Sequence, residues 1–159
     1  MSNERIPITP DGYSKLYDEL SYLKSVERPS IINAIAEARA HGDLSENAEY
    51  SSAREKQGFI EAKIADLESR IARAEVIEIK GLTGNQIKFG AIVSLLNEEN
   101  DTEVKYQIVG EYEADLTKGL ISISSPLAKA LLGKSVGNQI EVSTPKGIRY
   151  YEVKAVIYE

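Results

Sequence analysis

From Tyr50 to Ala74, the positions Tyr50, Ala53, Gln57, Ile60, Ile64, Leu67, Ile71 and Ala74 recur at alternating steps of three and four residues. A stripe with that period stays on one side of an α-helix and forms the seam of a coiled coil, so it demands a second helix to cover it. The seam lies in a helical pattern running from about Ala48 to Glu78. Another helical pattern, from about Pro10 to Arg39, precedes it, and only the turn His41-Gly42-Asp43-Leu44-Ser45-Glu46-Asn47 stands between them. At about 1.5 Å per residue each arm is roughly 45 Å long. So short a connection folds the arms back on each other as an antiparallel hairpin. Asp43 and Glu46 then sit at the far end of a thin rod, a shape suited to carrying charge into a narrow space in another molecule.

The first arm opens with Thr9-Pro10, a hydroxyl for the free amides followed by a residue whose fixed φ suits the first helical position. Tyr13, Leu16, Leu20 and Leu23 follow at helical spacing. Pro29 lacks an amide donor and predicts a kink or restart. Beyond it the stripe resumes one position out of phase, as Ile31, Ile35 and Ala38, and His41-Gly42 closes the arm. On the second arm Lys56, Lys63 and Arg70 line one flank of the seam and Glu61, Glu68 and Glu75 the other. Lys24 and Glu19 of the first arm are expected opposite the acidic and basic flanks, each exposed pair contributing ~0.5 kcal/mol. Continuing the acidic flank one heptad toward the tip reaches Arg54, which reverses its sign.

Lys80-Gly81-Leu82-Thr83-Gly84-Asn85-Gln86 reads as a linker. After it the period changes to that of strands, at Ala91–Leu96, Val104–Tyr112, Leu120–Ser124, Gln139–Ser143 and Ile148–Tyr158. Ser125-Pro126 opens a short helix ending at Gly133, and Thr144-Pro145-Lys146-Gly147 is a hairpin turn. The expected organisation is an α+β chain: a coiled-coil hairpin over 1–79, a linker over 80–86, and an antiparallel sheet with one helix on its face over 87–159.

Charge and composition narrow the chemistry. The chain has no cysteine and a single histidine, which excludes disulfides, thiolate metal sites and paired histidine ligands. Residues 1–79 hold ten Lys and Arg against fifteen Asp and Glu, and residues 80–159 hold nine against ten. Neither part has the basic excess of a protein that grips duplex DNA by its phosphates. No apolar run is long enough to span a membrane. Met1-Ser2-Asn3-Glu4-Arg5 lacks the pattern of a signal peptide, so a cytoplasmic location is expected.

Asp43 and Glu46 admit two readings. Asp at a helix N-cap with Glu three residues on is a variant of the capping box, and acids suit a helix N-terminus. Alternatively the pair are hard oxygen ligands for Mg²⁺. Two carboxylates on an exposed turn hold that ion weakly, because it keeps its waters and favours sites shared with phosphates or further acids. On this reading the remaining ligands come from a partner.

The run Ala34-Ile35-Ala36-Glu37-Ala38-Arg39-Ala40-His41-Gly42-Asp43-Leu44-Ser45-Glu46-Asn47-Ala48-Glu49-Tyr50, with Gln57-Gly58-Phe59-Ile60 after it, resembles the bacterial transcript-cleavage factors of the Gre family, its GreA branch most closely. The resemblance covers the whole chain, including the proline of the first arm, the linker and Ile121-Ser122-Ile123-Ser124-Ser125-Pro126-Leu127-Ala128. It implies a partner, RNA polymerase, whose secondary channel admits the hairpin. In a backtracked complex the nascent RNA 3′ end is extruded into that channel. There the tip carboxylates Asp43 and Glu46 help hold Mg²⁺ jointly with the polymerase's own acids, and the polymerase cleaves the transcript. No metal is expected in the isolated protein, which is expected to be a monomer and not itself an enzyme.

By the same resemblance Arg54, and with it Arg39, contacts RNA. The alternatives are a solvated surface arginine for Arg54 and neutralisation of a helix C-terminus for Arg39. The C-terminal domain resembles the FK506-binding-protein-like (FKBP-like) module of the family, which docks on polymerase through a segment matching Ser124, Ser125 and Pro126. Ordinary helix capping by Ser125 and Pro126 is the other reading of that segment. Three rivals remain: a channel-binding inhibitor of RNA polymerase without cleavage activity, a prolyl isomerase suggested by fold alone, and a structural adaptor for which the tip charges are immaterial.

Overall fold

The computed structural model describes residues 4–43, 45–82 and 84–159. Residues 1–3, Leu44 of the expected tip and Thr83 of the expected linker lie outside the described residues. The chain divides into two compact units.

The first unit, Tyr13–Arg73, is a helical hairpin. Helix α1 (Pro10–Tyr22) runs into a π-helical turn, Leu23–Glu27, and then helix α2 (Arg28–Ala40). Helix α3 (Ala48–Arg73) returns along α2. The π turn is the structural answer to Pro29. An α-helix would press the proline ring on the carbonyl four residues back, at Ser25, and leave that carbonyl without its amide. Here the Arg28 N–H instead donates to the Leu23 carbonyl, five residues back, and the widened turn absorbs one extra residue. That residue explains the phase shift in the stripe. Leu16, Leu20 and Leu23 are buried before the turn, and Ile31, Ile35 and Ala38 after it.

On α3 the buried residues are Ala53, Ile60, Ile64 and Leu67, all on the expected seam. Each buried Ile or Leu contributes roughly 1.5–3 kcal/mol, so the seam holds the arms together. The flanking charges meet as anticipated: Lys24 Nζ lies 3.6 Å from Glu68 Oε1 and Lys63 Nζ 3.1 Å from Glu19 Oε1. Arg28 adds a two-pronged pair with Glu61, through Nε at 3.0 Å and Nη2 at 2.9 Å. Helix α3 is shorter than the periodicity suggests. It ends at Arg73, and Ala74–Val76 form strand β2 instead of a further helical turn.

The second unit contains Ala74–Glu159 together with the N-terminal segment through Gly12. By contacts, therefore, the division falls elsewhere than the expected 79/80 boundary. The cause is strand β1 (Ile6–Ile8), which pairs in parallel with β2, Ile6 beside Ala74 and Ile8 beside Val76. Within this unit Glu113 binds the N-terminal segment. Its carboxylate accepts from Thr9 N at 3.0 Å, from Gly110 N at 2.8 Å and from the Thr9 hydroxyl. Thr9 Oγ1 in turn accepts from Gly12 N at 3.1 Å and caps α1 as expected. Gly12 leaves room for this carboxylate, which a Cβ would strike.

The main sheet has strands β3 (Ile92–Asn97), β4 (Thr102–Val109), β5 (Leu120–Ser122), β6 (Gln139–Thr144) and β7 (Gly147–Ile157), in the order β5-β4-β3-β7-β6. Three of its four pairings are antiparallel, but β4 and β5 are parallel, Gln107 beside Leu120 and Val109 beside Ser122. The expectation of a wholly antiparallel sheet is corrected there. The chain turns back through residues 110–119 and approaches β4 closely enough for Gln107 N to bond Gly119 O at 2.8 Å. Helix α4 (Pro126–Leu131) packs on β5 and β6. Its Ala128 and Leu131 are buried with Val93, Leu95, Ile108 and Val153 in the core. Thr144 and Gly147 pair across a tight turn in which Gly147 takes φ +117°, a value that favours glycine.

Candidate functional site

The tip of the hairpin is built from both arms. At the end of α2, His41 N bonds Ala38 O and Gly42 N bonds Arg39 O, each at 3.2 Å. Gly42 then leaves the helix with φ +107°, a conformation that L side chains rarely adopt. At the start of α3 the cap is Asn47. Its Oδ1 accepts from Tyr50 N at 3.0 Å, and its Nδ2 donates to Ala38 O at 2.6 Å.

This overturns the capping-box reading of Asp43 and Glu46. Both acids precede the cap residue, so neither satisfies the α3 amides among the described residues. Asp43 is exposed, and its Oδ1 accepts from Ser45 Oγ at 2.8 Å and Ser45 N at 3.0 Å. The Ser45 hydroxyl first, and its amide second, hold the Asp43 carboxyl below the usual carboxylate range. The carboxylate therefore stays charged at neutral pH with one oxygen held by the turn. Glu46 is also exposed and makes no hydrogen bond or ion pair among the described residues.

The basic residues divide. Arg39 at the end of α2 lies over the ring of Tyr50, its Cζ 5.8 Å from the centroid, a cation–π contact that bridges the arms. Arg54 is exposed on α3 and unpaired among the described residues. His41 Nδ1 lies 3.7 Å from Glu49 Oε2 across the turn. Asp43, Glu46 and Arg39 thus belong to one short stretch of the hairpin, with Arg54 on the second turn of α3.

Two exposed carboxylates suit the chemistry of Mg²⁺, which takes oxygen ligands, but they are too few to cage it. Among the described residues no group of three or more His, Cys, Asp or Glu side chains is placed to hold a metal ion.

Ser124, Ser125 and Pro126 belong to the sheet unit. Ser125 caps α4, its Oγ accepting from Ala128 N at 3.2 Å, and Pro126 takes the first helical position. Ser124 is exposed, with its Oγ 2.8 Å from Ser122 Oγ. The capping reading holds for Ser125 and Pro126.

Two residues of the tip escaped the sequence reading of its chemistry, Ser45 and Asn47. A signal existed for Asn47: asparagine directly before a helical pattern is among the strongest N-caps. Among the described residues no helix is long and apolar enough to cross a membrane.

Comparison with known proteins identifies the family. The family profile "Transcription elongation factor, N-terminal" matches residues 6–76, and "Transcription elongation factor, GreA/GreB, C-term" matches residues 82–158. A protein of Phenylobacterium zucineum named transcription elongation factor GreA is 54% identical over 96% of this chain and 98% of its own. The protein of that name from Rickettsia prowazekii is 59% identical over 99% of this chain and 97% of its own. Among solved structures, the GreA factor homolog 1 (Gfh1) protein of Thermus thermophilus is 29% identical, covers 97% of this chain and 99% of its own, and has a TM-score of 0.44. With both halves matched and relatives this similar along nearly the full length, the chain belongs to the GreA/GreB family of transcription elongation factors.

Proposed function

We propose that this elongation factor stimulates RNA polymerase to cleave backtracked nascent RNA, with the hairpin, as an antiparallel coiled coil, reaching into the polymerase secondary channel. The observation that carries the reading is the position of Asp43 and Glu46. They lie on the turn between α2 and α3, exposed and outside the helix cap. Acids spent on capping would be unavailable to a partner. These two are left to complete a site that polymerase has half built. Asp43 and Glu46, together with the polymerase acids, would hold Mg²⁺, which would supply a polarised water and charge neutralisation to the hydrolysis.

The residues of this chain position and charge that site. Asp43 offers the carboxylate oxygen that Ser45 does not occupy, and Glu46 offers both of its oxygens. Arg54 has no partner of its own among the described residues and contacts the extruded RNA 3′ end. Arg39 does so less directly, since Tyr50 already engages it. Ser124, Ser125 and Pro126 dock the FKBP-like unit on polymerase. The factor acts in the cytoplasm, as a monomer when free, and is not a nuclease alone.

The test uses purified backtracked elongation complexes with Mg²⁺, with and without the protein, scored for shortening of RNA from its 3′ end. Shortening is expected only when polymerase and factor are both present. Cleavage of free RNA by the protein with Mg²⁺ alone overturns the activator reading. Binding to polymerase that slows transcription without shortening RNA supports the inhibitor reading instead.

A further inference from the structure

We infer that Asn47 is a positioning residue, its side-chain amide setting the geometry in which the tip turn presents Asp43 and Glu46; this rests on the function proposed above. Asn47 is, among the described residues, the one member of the turn whose side chain hydrogen-bonds both arms. Its Oδ1 accepts from Tyr50 N of α3 at 3.0 Å, and its Nδ2 donates to Ala38 O of α2 at 2.6 Å. Ala38 O also accepts from His41 N at 3.2 Å. One carbonyl therefore gathers the exit of α2 and the entry of α3.

The consequence for the acids follows from connectivity. Glu46 is bonded directly to Asn47, and Asp43 stands one residue beyond Gly42. Among the described residues Asp43 is held only from within the turn, by Ser45. Glu46 has no contact of its own to orient it among the described residues. With the Asn47 to Ala38 bond in place, the turn is closed at both ends and the carboxylates occupy a defined place relative to the arms. Without it, α3 keeps its cap but the turn opens on the α2 side. A displacement of about 1 Å is enough to cost a reaction up to 10²-fold.

The two bonds of Asn47 can be separated. Serine retains an acceptor for the Tyr50 amide, since it caps helices about as well as asparagine, but it is too short to reach Ala38 O. Asn47→Ser is therefore expected to bind polymerase with wild-type half-saturation. Its maximal cleavage rate at saturating factor should fall on the order of tenfold, and the Mg²⁺ concentration for half-maximal cleavage should rise. In the free protein, amide hydrogen exchange should accelerate at Gly42 and Ser45 while Tyr50 stays protected. Asn47→Asp, which keeps the cap and lacks the amide donor, should follow Asn47→Ser and guards against a failure peculiar to serine. Thermal unfolding of each variant checks that the hairpin is intact.

The inference is overturned if Asn47→Ser and Asn47→Asp cleave at the wild-type maximal rate with unchanged Mg²⁺ response, or if they weaken binding alone. Asp43→Asn, run beside them, separates the two levels. Full cleavage by Asp43→Asn removes the carboxylate reading, whereas loss of cleavage there with none in the Asn47 variants removes only the role of Asn47.

Discussion

Deleting Val26 tests why the first arm contains a π turn. Val26 is half exposed within Leu23–Glu27, and its loss removes the one extra residue that the turn absorbs. The shortened arm has two options. It can straighten into α-helix, which restores a seven-residue step between Leu23 and the residue now numbered Ile31 but places Pro29 in a helix interior, at about 3 kcal/mol or more. Or it can keep the widened turn and rotate α2 by about 100°. That rotation turns Ile31 and Ile35 off the α3 face, where they are 5% and 8% exposed. Exposing two isoleucines costs about 3–6 kcal/mol, so straightening is the cheaper route. The deletion should therefore lower hairpin stability by about 3 kcal/mol. Pro29→Ala in the intact chain should change stability by less than about 1 kcal/mol, because the π turn has already moved the opposing carbonyl. Combined with the deletion it should recover about 2–3 kcal/mol, a coupling well outside additivity. Urea unfolding followed by far-ultraviolet circular dichroism reads all four corners of the cycle, with changes in midpoint at constant slope. A deletion variant as stable as wild type, or one that Pro29→Ala does not rescue, refutes this account of the turn.

Two further outcomes follow from particular bonds. Ser45→Ala removes the largest cause of the lowered Asp43 pKa, so the Asp43 carboxyl should titrate closer to the usual carboxylate range, as read by carboxyl carbon chemical shifts. In wild type the stabilisation linked to this group is present above the ordinary aspartate pKa and is lost as pH falls through the lower folded value; the variant should lose that acid tolerance at the tip. Glu113→Ala leaves the amides of Thr9 and Gly110 and the buried Thr9 hydroxyl without their acceptor. It should cost about 2–3 kcal/mol and speed amide exchange at Thr9 and Gly110, while Glu113→Gln should recover part of the loss.

The long-period features of this chain are legible from its residues because one cause dominates each. Burial of a seam places Ile60, Ile64 and Leu67, and the phase slip after Leu23 announces an inserted residue before Pro29 itself is considered. The Lys24 and Lys63 ion pairs follow from that register. The features that escape are those set by contacts distant in sequence. Nothing local distinguishes Ala74–Val76 as strand from one more helical turn; its partner is Ile6–Ile8 at the far end of the chain. Strand alternation encodes which face is buried, not direction, so the parallel β4–β5 pair is invisible until the path of residues 110–119 is known. Glu113 reads as one more surface acid because its donors, at Thr9, lie over a hundred positions away. At the tip the spacing of Asp43 and Glu46 mimics a capping box and competes with the asparagine signal at Asn47; the geometry decides for Asn47.

The central claim is that the tip acids serve polymerase chemistry and not the hairpin's own stability. The most direct measurement is the rate of RNA 3′-end shortening in backtracked complexes by Asp43→Asn and Glu46→Gln, compared with wild type at matched occupancy of polymerase. Asparagine keeps an oxygen for Ser45, and neither acid caps α3, so both variants should unfold within about 0.5 kcal/mol of wild type and compete equally for polymerase. Each removes one charged oxygen ligand and should slow cleavage by on the order of 10²-fold. Cleavage at the wild-type rate by both variants, once bound, contradicts the claim.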